Sequence, residues 1–408
     1  MPIIVQKYGG SSVADAAKIS AIARKICDRA ETGASLVIVV SAMGDSTDRL
    51  IEMARDVSGD RPPEARELDT LLSTGELVTS TLMAMAITAA GHPALSLSGQ
   101  QAGIRTDTRH GSARIADINA DRLKRELDRG RICVVAGFQG LADTEDVTTL
   151  GRGGSDTTAV ALAVALGAER CEIYTDVDGI YTTDPRLVPS ARKLAEIGYE
   201  DMLEMASLGA KMNPRSIELA AVYDVPVLVA STFEDVPGTL IHGGPHMMEI
   251  RRAVTGIAID RDVAKITVRA VKDRPGVSSQ IFAPLSEAGV SVDVIVQNAS
   301  QEGLTDVTFT VSKSDFERAL DLTRETCSDM ARDVVGDSGL AKMSIVGTGM
   351  QNGTGYAAAM FGALANAGVN IEMITTSEIR ITCVIAASAV TVAANALHRA
   401  FELDAVVD

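Results

Sequence analysis

Between Ile3 and about Ile241 the chain alternates short β-branched runs with stretches of helical period. The runs are Ile3 to Lys7, Leu36 to Val40, Ile132 to Ala136, Glu172 to Tyr174 and Val227 to Val229. Strands separated by helices predict an α/β domain with a largely parallel sheet, because a parallel neighbour is reached only through a crossover. The first helix is the plainest. Ile19, Ile22, Ala23, Ile26, Cys27 and Ala30 follow the i, i+3, i+4, i+7 rule, so that face should lie on the sheet, with Ser11 or Ser12 capping the start. Pro237-Gly238 and then Gly243-Gly244-Pro245 punctuate the end, which gives a first domain over 1–245.

The rest of the chain holds a repeat. Glu287-Ala-Gly-Val-Ser-Val-Asp-Val-Ile295 matches Asn366-Ala-Gly-Val-Asn-Ile-Glu-Met-Ile374, and 368 − 289 gives a period of 79 between the two glycines. In each copy a strand (Lys265 to Val271; Lys342 to Val346) precedes a helix, the repeated strand, a further strand (Asp306 to Val311; Ile379 to Ile385) and a second helix. The order is that of βαββαβ units, with the last strand of each not visible in the pattern. The period is too long for a solenoid, so two paired small domains are expected, over 263–340 and 341–408, after a connecting stretch 246–262.

A chain of 408 residues is long enough for two or three domains of ~150 residues each. The balance of 38 basic against 54 acidic residues gives a net charge of −16, which argues against nucleic acid as a partner. The longest apolar stretch noted, from Ala159 to Leu166, falls short of the ~18 residues of a membrane span, and Met1 to Gly10 has no signal-peptide core. A cytoplasmic location and no membrane partner are therefore expected. Five cysteines without a C-x-x-C pair, and five histidines without zinc spacing, point to no zinc site.

Chemistry gathers at strand ends. Lys7-Tyr8-Gly9-Gly10-Ser11-Ser12 ends a strand in lysine, turns on two glycines and opens a helix, which makes an anion cradle with a cation beside it. The lysine precedes the glycines, so this is not a P-loop, and a plain strand-to-helix turn is the competing reading. A second cradle, Thr148-Thr-Leu-Gly-Arg152-Gly-Gly-Ser155-Asp156-Thr-Thr158, combines three glycines, an arginine and an aspartate; Asp156 would equally serve as a helix cap. Thr175-Asp176-Val-Asp-Gly-Ile-Tyr181-Thr-Thr-Asp184-Pro-Arg186 reads as a nucleotide-holding loop, with Asp184-Pro185 also fitting a helix start. It lacks the acidic series of a calcium loop. Lys211 is a further candidate phosphate cation, and Ser73-Thr-Gly-Glu76 has the form of a capping box, which makes Glu76 a helix-start residue on local grounds.

Together these segments resemble the aspartate kinases of the amino-acid kinase family. The matching blocks are K-Y-G-G-S-S at Lys7 to Ser12, S-A-M-G-D-S-T-D at Ser41 to Asp48, T-G-E at Thr74 to Glu76, T-T-L-G-R-G-G-S-D-T-T-A at Thr148 to Ala159, and T-D-V-D-G-I-Y-T-T-D-P-R at Thr175 to Arg186. The repeat looks like the family's tandem ACT domains, with T-S-E-I-R-I at Thr376 to Ile381 in the second. The resemblance implies an amino-acid kinase fold, a three-layer αβα sandwich on a largely parallel sheet, followed by two ferredoxin-like ACT domains, the second completed by Val254 to Ile259.

It also implies transfer of phosphate from ATP, with Mg2+, to the side chain of L-aspartate. Carried over position by position, Lys7, Gly9 and Gly10 would hold the ATP phosphates and Asp156 would organise the catalytic cations, with no dedicated set of metal ligands. Arg152 would take the α-carboxylate of aspartate and Glu76 its ammonium, with Ser41, Thr47 and Ser155 completing the substrate contacts. Thr175, Asp176, Tyr181, Asp184 and Arg186 would line the nucleotide site, with Lys211 near its phosphates. Between Lys211 and Arg215 the chain reads Met-Asn-Pro, where many relatives have a longer V-L-x-P segment.

Feedback by lysine, threonine or both is expected at the ACT pair. The turn at Asp273 and Gly276 offers amides to a carboxylate, Gln297 and Asn298 offer hydrogen bonds, Asn370 and Ile371 resemble family effector contacts, and Ser377 and Glu378 would serve a second ammonium. The resemblance further suggests a homo-oligomer, or assembly with a shorter ACT-only chain begun at Met247 or Met248. Two rival readings stand beside this one. A glutamate or acetylglutamate kinase would not be expected to join the ACT pair to the block at 148–159, and a non-enzymatic amino-acid sensor would have no need of Lys7, Arg152 and Asp156.

Overall fold

The computed structural model describes residues 1–59, 61–243, 253–298, 303–351 and 353–405, so Met247, Met248 and the turn at Pro245 lie outside the described residues. The chain forms two compact units. The first comprises 1–180, 193–207 and 211–243 of the described residues, and the second comprises 181–192, 208–210 and 253–405.

The first unit is built on an eight-stranded sheet. Its strands are β1 (Ile3–Tyr8), β2 (Ser35–Val40), β3 (Ala94–Leu97), β4 (Ile132–Ala136), β5 (Arg170–Thr175), β6 (Glu196–Gly198), β7 (Val227–Ser231) and β8 (Thr239–His242), in spatial order β6-β8-β7-β5-β1-β2-β4-β3. Every neighbouring pair is parallel except β7 with β8. The central strands are apolar almost throughout, as a sheet covered on both faces requires.

Helix α1 (Ala16–Glu31) and helix α2 (Ala65–Ala89) cover one face. Ile19, Ile22, Ala23 and Ile26 of α1 pack with Met83 and Ile87 of α2 onto Ile4, Leu36, Ile38 and Val40. The cap of α1 is Asp15, whose carboxylate accepts from the Lys18 amide at 2.9 Å, and neither Ser11 nor Ser12 takes that place. Ser12 is buried instead, its hydroxyl 2.6 Å from that of Thr232. Helix α3 (Gly154–Leu166) is buried almost all round, which is why its sequence shows no amphipathic period. Its Ser155 lies so close to Gly137, next to the end of β4, that a Cβ there would come within 2.8 Å.

By length and composition α2 could cross a bilayer, a feature that the Ala159 to Leu166 reading overlooked, but half of its apolar window is buried within the structure and it also buries Asp69, Ser73 and Glu76. Apolar length here serves a core.

The second unit carries a six-stranded antiparallel sheet: β9 (Gly256–Lys272), β10 (Ile295–Gln297), β11 (Leu304–Val311), β12 (Asp333–Val346), β13 (Met373–Thr376) and β14 (Arg380–Ala386), in the order β10-β11-β9-β12-β14-β13. The strands expected at Lys265 to Val271 and Lys342 to Val346 are halves of the long β9 and β12. Their other halves supply the strands that the repeat pattern did not show. Lys265 to Arg269 pairs with Asp333 to Asp337 in the first copy, and Gly256 to Asp260 pairs with Lys342 to Val346 in the second, with register shifts between Asp260 and Lys265.

Helices α5 (Val277–Glu287) and α6 (Phe316–Cys327) close the first copy over Ile266, Val268 and Phe309. Helices α7 (Tyr356–Asn366) and α8 (Val390–Ala400) close the second over Met343, Ile345 and Ile385. The segment 181–192 packs into the second core through Leu187, Val188 and Ala191. The Thr182 hydroxyl lies 3.0 Å from Nε2 of the buried His398 on α8, Asn395 donates to the Leu187 carbonyl at 3.0 Å and Arg192 to that of Leu403 at 3.2 Å.

Candidate active site

Strand β1 ends by sending two side chains to opposite faces. Tyr8 stacks on Tyr174 with ring centroids 5.0 Å apart, while Lys7, only 9 % exposed, places Nζ 2.5 Å from Oδ1 of Asp156. Asp156 does not cap α3; that position belongs to Gly153, and Asp156 sits in the first turn, where the helix dipole favours a negative charge. Facing each other offsets part of what it costs to take the two groups out of water.

Gly9 and Gly10 make the turn that follows. The missing Cβ of Gly9 would stand 3.6 Å from Lys7 Nζ, so the space beside the ammonium is bare backbone. A Cβ on Gly10 would come within 2.8 Å of the Ala42 carbonyl, and the Gly10 oxygen accepts from the Gly44 amide at 3.0 Å. The K-Y-G-G turn is thereby joined to the 41–44 turn, where the Ser41 amide donates to the Tyr8 oxygen at 3.1 Å. Half-buried Thr47 follows in the first turn of the helix Ser46–Ser58.

Glu76 corrects the local reading. It lies in the interior of α2, nine residues past Glu67 of the first turn, so it caps nothing. Its side chain is buried at 4 % exposure, Oε1 accepts from the Ala42 amide at 3.1 Å, and Oε2 is buried with no hydrogen-bond partner among the described residues. Burial pushes its carboxyl up from 4.5 to about 7, with the Ala42 amide opposing. Such an oxygen is suited to an ammonium.

The second glycine turn presents Arg152. Gly151 (φ +82°) and Gly153 (φ +71°) hold left-handed backbone on either side, which only glycine adopts without strain. Arg152 is exposed and makes no ion pair among the described residues. Its neighbours are fixed from several directions. The Asp69 carboxylate accepts from the Thr149 amide at 3.0 Å, from the Thr149 hydroxyl, and from the Gly111 amide at 3.0 Å, with Nδ1 of His110 at 2.9 Å. Arg215, near the start of α4 (Pro214–Tyr223), donates to the Leu150 carbonyl at 2.8 Å and to that of Ala113 at 3.1 Å.

Sequence reasoning missed Asp69, His110 and Arg215. Asp69 carried a signal, because it stands seven positions before Glu76 and so shares its face of the helix.

In the 175–186 segment, Asp176 is ion-paired with Lys211 and accepts from the Thr175 hydroxyl at 3.0 Å, and the Lys211 hydrogen bond holds its carboxyl below the usual range. Tyr181, Asp184 and Arg186 belong to the second compact unit. No helix begins at Pro185. Asp184 accepts from the Arg186 amide at 2.9 Å and from its guanidinium at 2.8 Å, a closed turn that keeps the Asp184 carboxyl low.

In the ACT region a cavity of about 630 Å³ is lined by Asp273, Arg274, Gly276, Ser278, Ser279 and Gln297. Three of the four effector residues expected in the first copy meet there, with the Ser278 hydroxyl 3.2 Å from Oε1 of Gln297. Asn298 is not among its walls; its carbonyl accepts from the Thr305 hydroxyl at 2.7 Å. Asn370 donates to Glu372 at 3.1 Å, Ile371 packs against the second core, and Ser377 and Glu378 lie exposed between β13 and β14.

The amino acid kinase family model matches residues 2–231, and the ACT domain model matches 266–325 and 343–401. An aspartate kinase of Pseudomonas fluorescens is 49 % identical over 407 residues, 99 % of this chain and 98 % of the relative. An aspartokinase of Corynebacterium glutamicum is 46 % identical over 409 residues, 99 % of this chain and 97 % of the relative. Escherichia coli aspartokinase III in complex with aspartate and ADP superposes with a TM-score of 0.81 at 26 % identity, covering 98 % of this chain and 99 % of that one. The same enzyme in complex with lysine and aspartate gives 0.77 at 26 %, covering 97 % and 99 %. A family model over more than half of the chain and relatives nearly half identical along its whole length show that the chain belongs to the aspartate kinases of the amino acid kinase family.

Proposed function

We propose that this kinase transfers the γ-phosphate of MgATP to the side-chain carboxylate of L-aspartate, giving 4-phospho-L-aspartate and ADP, the entry step to lysine, threonine and methionine. The observation that carries the acceptor is the buried Glu76 carboxylate, whose Oε2 has no hydrogen-bond partner among the described residues. An α-ammonium supplies the missing charge, and Arg152 supplies two parallel donors for the α-carboxylate. One carboxylate of the amino acid is then held and the other is left to react.

Phosphoryl transfer of this kind is a matter of placement and charge neutralisation. The side-chain carboxylate is ionised at neutral pH, so its oxygen forms the new bond to γ-phosphorus while the bond to the bridging oxygen breaks, and the electron pair leaves with ADP. No base is needed. Lys7, beside the bare backbone of Gly9, would meet the phosphoryl oxygens in place of its present partner Asp156. Magnesium is ordinarily held by phosphate oxygens with one or two carboxylates. Asp156, in the first turn of α3 and freed from Lys7, fits that role and would neutralise charge built up on the phosphates.

The ACT cavity at Asp273, Gly276 and Gln297 supports a regulatory role, in which lysine, threonine or both bind there and favour an inactive arrangement. Trapping the acyl phosphate with hydroxylamine tests the catalytic reading. Acyl phosphate should form with aspartate and ATP and not with glutamate; formation with glutamate alone would overturn it.

A further inference from the structure

The Met-Asn-Pro segment that stood out in the sequence has a definite place. Asn213 is the N-cap of α4, its Oδ1 accepting from the Arg215 amide at 2.9 Å and the Ser216 amide at 3.3 Å, with Pro214 at the first helical position. Capping uses only the oxygen. The other end of the amide, Nδ2, donates to the main-chain carbonyl of Arg152 at 2.9 Å. The two ends cannot be exchanged, since a flipped amide would set N–H against N–H at the cap and C=O against C=O at Arg152.

The contact is also a packing contact. A Cβ on Gly153 would come within 2.2 Å of Asn213 Nδ2, so the asparagine fills the space that the glycine leaves. Two residues downstream, Arg215 takes the Leu150 carbonyl at 2.8 Å. The first turn of α4 therefore grips the loop at Leu150 and at Arg152, and the Arg152 guanidinium, without an ion pair among the described residues, projects from backbone that is held on both sides.

We infer that Asn213 is a positioning residue for the amino-acid acceptor: its amide nitrogen fixes the Arg152 backbone so that the guanidinium meets the substrate α-carboxylate. The inference rests on the reading that Arg152 binds that carboxylate. It predicts a divided effect. Asn213→Asp keeps the cap, because aspartate caps as well as asparagine, but puts an acceptor where Arg152 needs a donor.

The experiment measures KM for aspartate and for ATP, kcat and Tm in Asn213→Asp and Asn213→Ser, with Arg152→Lys alongside. Serine also caps but is too short to carry the second contact. Asn213→Asp should raise the aspartate KM about tenfold, with ATP KM changed by less than about twofold and Tm unchanged. Should that variant not fold, the serine variant decides on the same readings. A wild-type aspartate KM in the Asn213 variants, with Arg152→Lys raised, overturns the role of Asn213 and leaves that of Arg152. An unchanged aspartate KM in Arg152→Lys overturns both. Parallel losses in Tm and in both KM values would make Asn213 a structural cap and nothing more.

Discussion

Two lysines are buried among the described residues, and they are buried to different ends. Lys7, 9 % exposed, stands at a strand terminus beside a turn stripped of side chains, and one carboxylate, Asp156, faces it. Lys342, 5 % exposed, stands within β12, near Asp260 at 3.8 Å and in contact with Asp293. In both, a buried ammonium faces a carboxylate. The first lies beside the bare backbone of Gly9, whereas the second has two carboxylates of its own chain around it. A buried charge with room beside it is prepared for a ligand; one enclosed by partners is prepared for the fold.

The same substitution at both lysines tests the contrast. Lys7→Met should lower kcat by ~10²–10³, the loss usual for one preorganised donor to the transition state, with the protein still folded. Near wild-type turnover at saturating MgATP and aspartate would end the assignment of Lys7.

Glu76 extends the comparison to acids. Glu76→Gln should raise the aspartate KM by roughly 10², within the 2–5 kcal/mol lost when one partner of a buried charge pair is removed. Its effect on stability runs the other way. The folded state binds the Glu76 proton more tightly than the unfolded chain, because burial lifts the carboxyl from 4.5 to about 7. That contribution is complete below pH ~4.5 and is lost as pH rises to about 7, so above pH 7 the glutamine variant should melt higher than the wild type. By the same shift, the wild-type aspartate KM should climb as pH falls below about 7. A glutamine variant that melts lower at pH 8 would mean that the acid is held by partners rather than strained by burial.

A smaller effect belongs to the cavity of the second unit. Gln297→Ala should shift inhibition by threonine or lysine roughly 2–10-fold to higher concentration, the value of one hydrogen bond, and leave uninhibited kcat as it was. Titration of wild type and variant decides it, and an unchanged inhibition curve removes Gln297 from the site.

The smallest change is expected at the second lysine. Lys342→Met should leave kcat unaltered and lower stability by less than the ~3–5 kcal/mol that removing one partner of a fully buried pair costs, because the carboxylates left behind, Asp293 and Asp260, are 65 % and 23 % exposed to water. A collapse of activity there would dissolve the distinction drawn above.

The legible part of the site lay in contiguous strings at strand ends. Lys7 to Ser12 and Thr148 to Thr158 could be read because an anion cradle needs consecutive amides, and consecutive amides are neighbours in sequence as well as in space. What holds those strings was less legible. Asn213 is 61 residues from the Arg152 carbonyl it grips, and Asp69 is 80 from Thr149. The S-x-x-E pattern misplaced Glu76 because a four-residue window cannot show that α2 had begun at Ala65.

Strands expected from pattern at Ile132 to Ala136 and at Val227 to Val229 fall on β4 and β7. The missing strands of the repeat escaped because β9 and β12 cross from one copy to the other with no glycine or proline to mark the passage in β9.

Those two long strands also set a schedule for synthesis. Gly256 pairs with Val346, which leaves the ribosome 346 − 256 = 90 residues later, roughly 5–18 s at ~5–20 residues per second. For that interval the first half of β9 has no partner in the second copy, and an unpaired strand edge is an invitation to other chains. Once β12 arrives the exposure ends, and it ends for both copies together.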